Sequence, residues 1–386
     1  MLPASSPLWG HEDEAAPVSL ASITRRAQAG APILSTAARE PYGPGLGVAS
    51  APSAPLYHQM IYLTNLERVS RGLAPLKAAG ELTEAAQSHS QYMADNNCFA
   101  HDCPGEATWE ARIQAAGYLN YTDAAENIGA GSEAADGVVD DWMNSPTHRS
   151  NMLAACFREA GGGYASSDSS TYHHYWTLDL GARNDAQGNP VCPVVINNEA
   201  WSTSSLDVDL YVHGGDWPAS LMRFRNEGGS WTDWEPFSAH KAWTLSCSPE
   251  SPATVYARIR RGGVVRENRD EIVVDMPLSA GPAILVFLSD QGSSPAIPES
   301  YRLEISCCDQ WTASTNQGWI TVLNAGGIGP SSEATVSVDE YPTDRGTYLG
   351  TVTVETLTSQ EQVAVPVILV VTDGPLERSS LPLAAR

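Results

Sequence analysis

The hydrophobic period changes once along the chain, and this change limits the fold more than any single motif. From Leu56 to about Leu153, apolar residues recur three or four apart, the spacing of one buried helical stripe. From about residue 190 to 373 they alternate with polar residues in short runs broken by Gly, Asn, Ser and Pro, the pattern of half-buried strands. A chain of 386 residues has room for two or three domains. The expectation is one helix-bearing unit followed by strand units.

In the helical part, LYHQMIYLTNLERVSRGL puts Leu56, Met60 and Leu63 on one stripe, with Gly72 as the stop. ELTEAAQSHSQYMADNN puts Leu82, Ala86, His89 and Met93 on one face. TWEARIQAAG predicts a helix from Thr108 to Gly117, and DGVVDDWMNSP one that Pro146 breaks. YHHYWTLDLG reads as a strand, with His173 and His174 facing opposite ways. Residues 1–55, rich in Ala, Pro, Ser and Gly, read as a linker, and 374–386 as an unstructured tail. Residues 1–16 lack the basic and apolar regions of a secretory signal, so a signal is not visible in this chain.

Composition removes several function classes. Acids outnumber bases 45 to 22, a net charge of −23. By segment the net is −1 (1–55), −9 (56–183), −6 (184–297) and −7 (298–386), so no unit is basic and no tail carries the total. A general nucleic-acid binder needs a basic face, so nucleic acid is not an expected partner. Only Lys77 and Lys241 are lysines. With 42% hydrophobic and 17% charged residues the chain is not wholly disordered. No run of about 18 uncharged apolar residues occurs, so no membrane-spanning helix is expected. The seven cysteines lack zinc-ribbon spacing. A Cys98–Cys103 bridge is sterically plausible, with buried thiols in a reducing cell as the alternative, and the adjacent Cys307 and Cys308 are expected to bond elsewhere rather than to each other.

Five fragments in order, CFAHDCPGE, AAENIGAG, WMNSPTHRSNML, FREAGGGY and HYWTLDLG, resemble the CAP/SCP superfamily (cysteine-rich secretory, antigen 5 and pathogenesis-related-1 proteins) in its bacterial form. The likeness implies an α-β-α sandwich over 56–185 with a central cleft faced by two His and two acids. Carried over by motif, these fall on His101, Glu126, His148 and Glu159; Ala100 and Ala125 stand where many members have Ser and Gly. Imidazole and carboxylate suit a divalent ion, Zn²⁺ above others, and the alternative is that the acids hydrogen-bond the imidazoles and fix their tautomers. The likeness also implies a secreted or cell-surface protein that binds a small lipid, sterol or glycan. Catalysis is the less favoured reading. Its candidates are Glu126, Ser145 and His148, in a metal-dependent hydrolase or a Ser-based one, although S-P-T-H lacks a nucleophile elbow.

Residues 190–292, with MRFRNEGGSWTDWEPFSAHKAWTLS, resemble an Ig-like repeat of bacterial surface proteins. Residues 298–373, with WTASTNQGWITV and GTYLGTVTVET, resemble a BACON-type β-sandwich, a class proposed to bind carbohydrate. Trp231, Trp234, Trp243, Trp311 and Trp319 read either as sandwich core or as sugar-stacking platforms. A spacer or structural adhesion role for both units is the other reading. The expected fold is thus an α-β-α sandwich followed by two all-β sandwiches. His89, Trp142 and Trp176 read as core, and Asn127 and Asn151 as residues satisfying loop backbone.

Overall fold

A computed structural model describes residues 54–215, 217–247, 252–290, 296–340, 342 and 344–373. The linker expected over 1–55, apart from its last two residues, and the tail over 374–386 lie outside the described residues.

The first unit runs α1 (Leu56–Val69), β1 (Lys77–Ala78), α2 (Gly80–Asp95), α3 (Trp109–Ala115), β2 (Tyr121–Ala130), α4 (Ala135–Asn144), α5 (Pro146–Met152), β3 (Glu159–Ser166) and β4 (His174–Arg183). Its sheet has the order β1-β3-β4-β2, with β1 parallel to β3 and the remaining pairs antiparallel. Helix α2 packs on one face, and α1 with α4 on the other, giving three layers. Pro146 ends one helix as expected and also starts the next, because its fixed φ and missing N–H suit a first helical position. The buried side of α1 is Met60, Ile61, Thr64, Asn65 and Arg68 rather than a purely apolar stripe. Asn65 exchanges hydrogen bonds with the Leu76 backbone, and Arg68 donates to the carbonyls of Ala74, Met152 and Ala154, so burial leaves both side chains satisfied. His173 is not in the strand expected for it; it turns the chain at φ 63°, and β4 begins one residue later.

The helices can lie this close to the sheet because β3 is built on glycine. A Cβ on Gly161 would sit 2.1 Å from the Leu82 carbonyl carbon and one on Gly163 2.2 Å from the Ala86 carbonyl oxygen, both on α2. On the opposite face, one on Gly162 would sit 2.6 Å from the Tyr57 carbonyl oxygen of α1.

The second unit comprises β5 (Val194–Ile196), β6 (Ser202–Thr203), β7 (Asp207–Val212), β8 (Leu221–Asn226), β9 (Glu235–Pro236), β10 (His240–Thr244), β11 (Ala253–Arg261) and β12 (Val264–Val274). Two sheets, β10-β7-β5 and β6-β12-β11-β8-β9, enclose a core that includes Val194, Leu210, Phe224 and Val255. The third unit comprises β13 (Ser279–Gly281), β14 (Leu285–Asp290), β15 (Ser300–Ser306), β16 (Gln310–Thr315), β17 (Ile320–Leu323), β18 (Gly326–Ile328), β19 (Ser332–Val338), β20 (Gly346–Thr356) and β21 (Gln362–Thr372). Its sheets are β13-β15-β19-β17 and β14-β21-β20-β16-β18. Residues 279–290, placed by sequence at the end of the second unit, belong here instead. β14 pairs with β21, and Leu285 and Phe287 enter the third core. Trp311 is also in that core, only 1% exposed, with its indole N–H donated to Ser332 Oγ, and Trp319 packs beside it. Neither offers a free ring face to a sugar.

The units are tied to one another. Lys77 of β1 is held by Glu199 and Asp270 of the second unit, and the Pro75 carbonyl lies 2.8 Å from His213 Nε2. Cys247–Cys308 bridges the second and third units, and Cys98–Cys103 closes a loop in the first. Cys307 is a buried thiol, so the two neighbouring cysteines do not bond to each other.

Gly161→Ala should lower the unfolding free energy in urea by roughly 1–3 kcal/mol or more, because backbone must move to admit the methyl. Gly80→Ala, in open space at the start of α2, should be neutral or stabilising by up to about 1 kcal/mol. Equal effects of the two substitutions would disprove the close-approach account.

Candidate functional site

The site is assembled where the loop between α2 and α3 meets β2. Asn97 turns the chain out of α2 at φ 48°, and the Cys98–Cys103 disulfide closes a short ring around His101. Thr108 caps α3 by accepting from Ala111 N–H, and Asp102 accepts from Trp109 N–H. These contacts aim Arg112 inward. Its guanidinium donates to the His101 and Ala107 carbonyls, each at 2.9 Å, and to Glu126 Oε2 at 2.7 Å. Glu126 Oε1 lies 2.6 Å from His101 Nδ1. One arginine therefore fixes both the loop carrying His101 and the carboxylate that orients its ring.

Glu126 is 1% exposed. Burial alone would raise its pKa. The His101 hydrogen bond, with the charges of His89 and Arg112, outweighs burial, and the net shift is downward. Its cross-strand partner on β4, Asp179, shifts the other way, well above the usual range, because it is buried and faces the Glu126 charge. Of the two carboxyls, Asp179 is thus the one that takes up a proton more readily.

His148 lies on α5 and is 5% exposed. Its Nδ1 is 2.9 Å from Ser145 Oγ, and its carbonyl accepts from Asn127, which in turn accepts from Asn151. The two asparagines lock α5 to β2. Burial lowers the His148 pKa, and the proximity of His101 lowers it further, so the ring is neutral at pH 7. The Nε2 atoms of His101 and His148 are both buried without a hydrogen-bond partner.

The structure thus brings His101, Glu126 and His148 together, and places Glu159 elsewhere. Glu159 begins β3, accepts from Tyr118 Oη at 2.8 Å and Arg183 Nη2 at 3.1 Å, and touches neither histidine. Both Glu126 oxygens are also spoken for. Among the described residues no group of three or more His, Cys, Asp and Glu is arranged to hold a metal ion. The donor atoms left over are the two Nε2. Ser145 meets His148 at Nδ1, and Glu126 bonds to His101, so Ser145, His148 and Glu126 do not line up as a nucleophile–base–acid relay.

Sequence reasoning missed Arg112, Asp179 and Glu106. The available signals were weak: a lone cation in the short helix WEARIQA, and a lone acid between two leucines in a strand buried at all but its end residues. His89 is buried as expected, yet it is not merely packing. Its Nδ1 meets Glu106 Oε2 at 2.9 Å. Burial depresses His89 to about 4 and raises Glu106 to about 7.

The family described as the cysteine-rich secretory protein family, CAP, matches residues 61–180. Uncharacterized protein YkwD of Bacillus subtilis (strain 168) is 38% identical over 122 residues, 31% of this chain and 47% of that protein. The uncharacterized membrane protein YlbC of the same organism is 32% identical over 105 residues, 27% of this chain and 30% of that protein. An extracellular protein containing a SCP domain from Bacillus anthracis is 29% identical over 35% of this chain and 45% of that chain, with a TM-score of 0.30. The chain spans less than half the length of each.

The His89–Glu106 pair makes opposite contributions to stability as pH changes. His89 costs stability as pH falls from 6.5 toward about 4, since the unfolded chain takes up the proton first. Glu106 adds stability as pH falls from about 7 toward 4.5, since the folded chain takes it up first. Glu106→Gln removes the second effect, so its melting temperature should drop more steeply than the wild type's between pH 7 and 5. Parallel melting profiles would contradict this. Residues 61–180 thus form a CAP domain, the region matched by the cysteine-rich secretory protein family.

Proposed function

We propose that the CAP domain binds a small ligand in the cleft at His101 and His148, and that these two imidazoles take up one divalent ion there, with Zn²⁺ the best fit. The observation that carries this reading is the pair of buried, unpartnered Nε2 atoms. Each ring is fixed through its other nitrogen, by Glu126 Oε1 and by Ser145 Oγ. A carboxylate accepting from Nδ1–H leaves the Nε2 lone pair free, the tautomer a metal requires. A bound ion would supply Lewis acidity and an anchor for a ligand oxygen. The chain's own residues orient the two rings and keep His148 neutral.

Glu126 acts in this reading as an orienting group, and Glu159 as part of the frame with Tyr118 and Arg183. A protein displayed outside the cell is supported by the two disulfides, which persist in oxidising compartments. Among the described residues no helix is long and apolar enough to cross a membrane. The Ig-like and BACON-like units then position the CAP domain at a surface.

Calorimetric titration with Zn²⁺ tests the proposal. Wild type should bind, and His101→Ala or His148→Ala should abolish binding. Glu126→Gln should weaken it about 10–100-fold. Glu159→Gln should leave it unchanged. Loss of binding in Glu159→Gln would restore a four-ligand site, and no heat with wild type would remove the metal. Hydrolysis of a peptide or ester panel, lost in Glu126→Gln, would replace binding with catalysis.

A further inference from the structure

We propose that the outer face of the second unit's larger sheet binds an anionic polysaccharide, one bearing carboxylate or sulfate groups along its length. The surface is separate from the His101–His148 cleft and is tested separately from it.

Arg223 on β8 and Arg258 on β11 are direct cross-strand neighbours. Like charges placed opposite each other destabilise a sheet, and here two further arginines, Arg225 and Arg260, extend the row on the same strands. The segment after β8 folds back beside it, with Thr232 N–H donating to the Phe224 carbonyl at 2.8 Å and Thr232 Oγ1 accepting from Phe224 N–H. This lays two indoles among the guanidinium groups. Trp231 has Arg258 at 4.2 Å and Arg223 at 5.1 Å from its ring centre; Trp234 has Arg223 at 4.5 Å and Arg260 at 4.7 Å.

The stacking has two consequences. It occupies the indole faces, so these tryptophans are neither core nor platforms for a neutral sugar ring. It also holds the guanidinium groups beside the indoles, and a guanidinium so placed can take a carboxylate or sulfate two-pronged through N–H donors that remain accessible. Arg258 spends its Nε on Glu267, and Glu227 on the rim lies within electrostatic reach of Arg225. Arg223, Arg225 and Arg260 make no direct ion pair among the described residues; Arg223 Nε is buried, so only its terminal nitrogens could meet a ligand.

The arginines are therefore gathered at an electrostatic cost, ordered in advance and largely unspent, on a chain whose every segment is net acidic. Successive arginines on one strand are about 7 Å apart and the strands about 5 Å, a strip matched to one extended chain. Single-stranded nucleic acid needs open aromatic faces for its bases, and these are taken.

Affinity electrophoresis of the full chain through gels containing polygalacturonate, heparin or dextran tests this. The wild type should be retarded by at least one of the two polyanions, not by dextran, and less so as salt rises. Arg223→Gln/Arg258→Gln should lose at least tenfold in affinity while still unfolding cooperatively, since removal of a like-charge pair offsets loss of the Arg258–Glu267 ion pair and the indole stacking. Should that variant fail to fold, Arg225→Gln/Arg260→Gln carries the same expectation. No retardation by either polyanion at low salt, unchanged retardation of the folded variants, equal retardation by dextran, or tighter binding of an oligodeoxynucleotide would each overturn the proposal.

Discussion

The first unit depends on the absence of side chains along Gly161–Gly163. With helix backbones in contact with both faces of β3, the layers are too close to admit a methyl group. That spacing decides what faces the sheet from α2. At the far end of the close approach, Ser90 Oγ donates to Thr177 Oγ1 of β4 at 2.9 Å, and His89 comes within the field of Glu126. Polar groups on a helix and on a strand two places away in the sheet share one small volume because nothing bulky holds the layers apart.

Inside that volume, charge is arranged by burial and pairing together. Glu126 is held toward its ionised form because His101 and Arg112 reach both its oxygens, and Asp179 is pushed toward its protonated form by burial and by the Glu126 charge beside it. The loop bearing His101 is held by a disulfide at its base and by Arg112 at its carbonyl. These restraints exist before any ligand arrives, so little ordering remains to be done on binding.

Much of this was legible from sequence, for identifiable reasons. Helical and alternating periods marked the layers and the strand units, because burial imposes them directly. Motif likeness brought His101, Glu126 and His148 to one place. It placed Glu159 beside them too, but whether a carboxylate on β3 turns toward the histidines or toward Tyr118 and Arg183 is settled by partners distant in sequence. Arg112 went unread because a short helix with one cation has no period to betray an inward charge. The buried Asn65 and Arg68 went unread for a related reason: hydrogen bonds to carbonyls from other elements let polar side chains occupy an apolar stripe. A strand of three glycines is a poor strand by propensity, and its logic lies in contacts that only the fold supplies.

The clasp at Lys77 bears on how such a chain can be inherited. Punctuation in the sequence suggests three beads on a string, each free to be exchanged. Yet one of the two lysines in the protein is spent joining the first bead to the second, between two buried acids. Recombination that cut between these beads would strand Glu199 and Asp270 without their cation. The first two units are thus coupled through a buried charge cluster, while the second and third are coupled covalently through Cys247–Cys308.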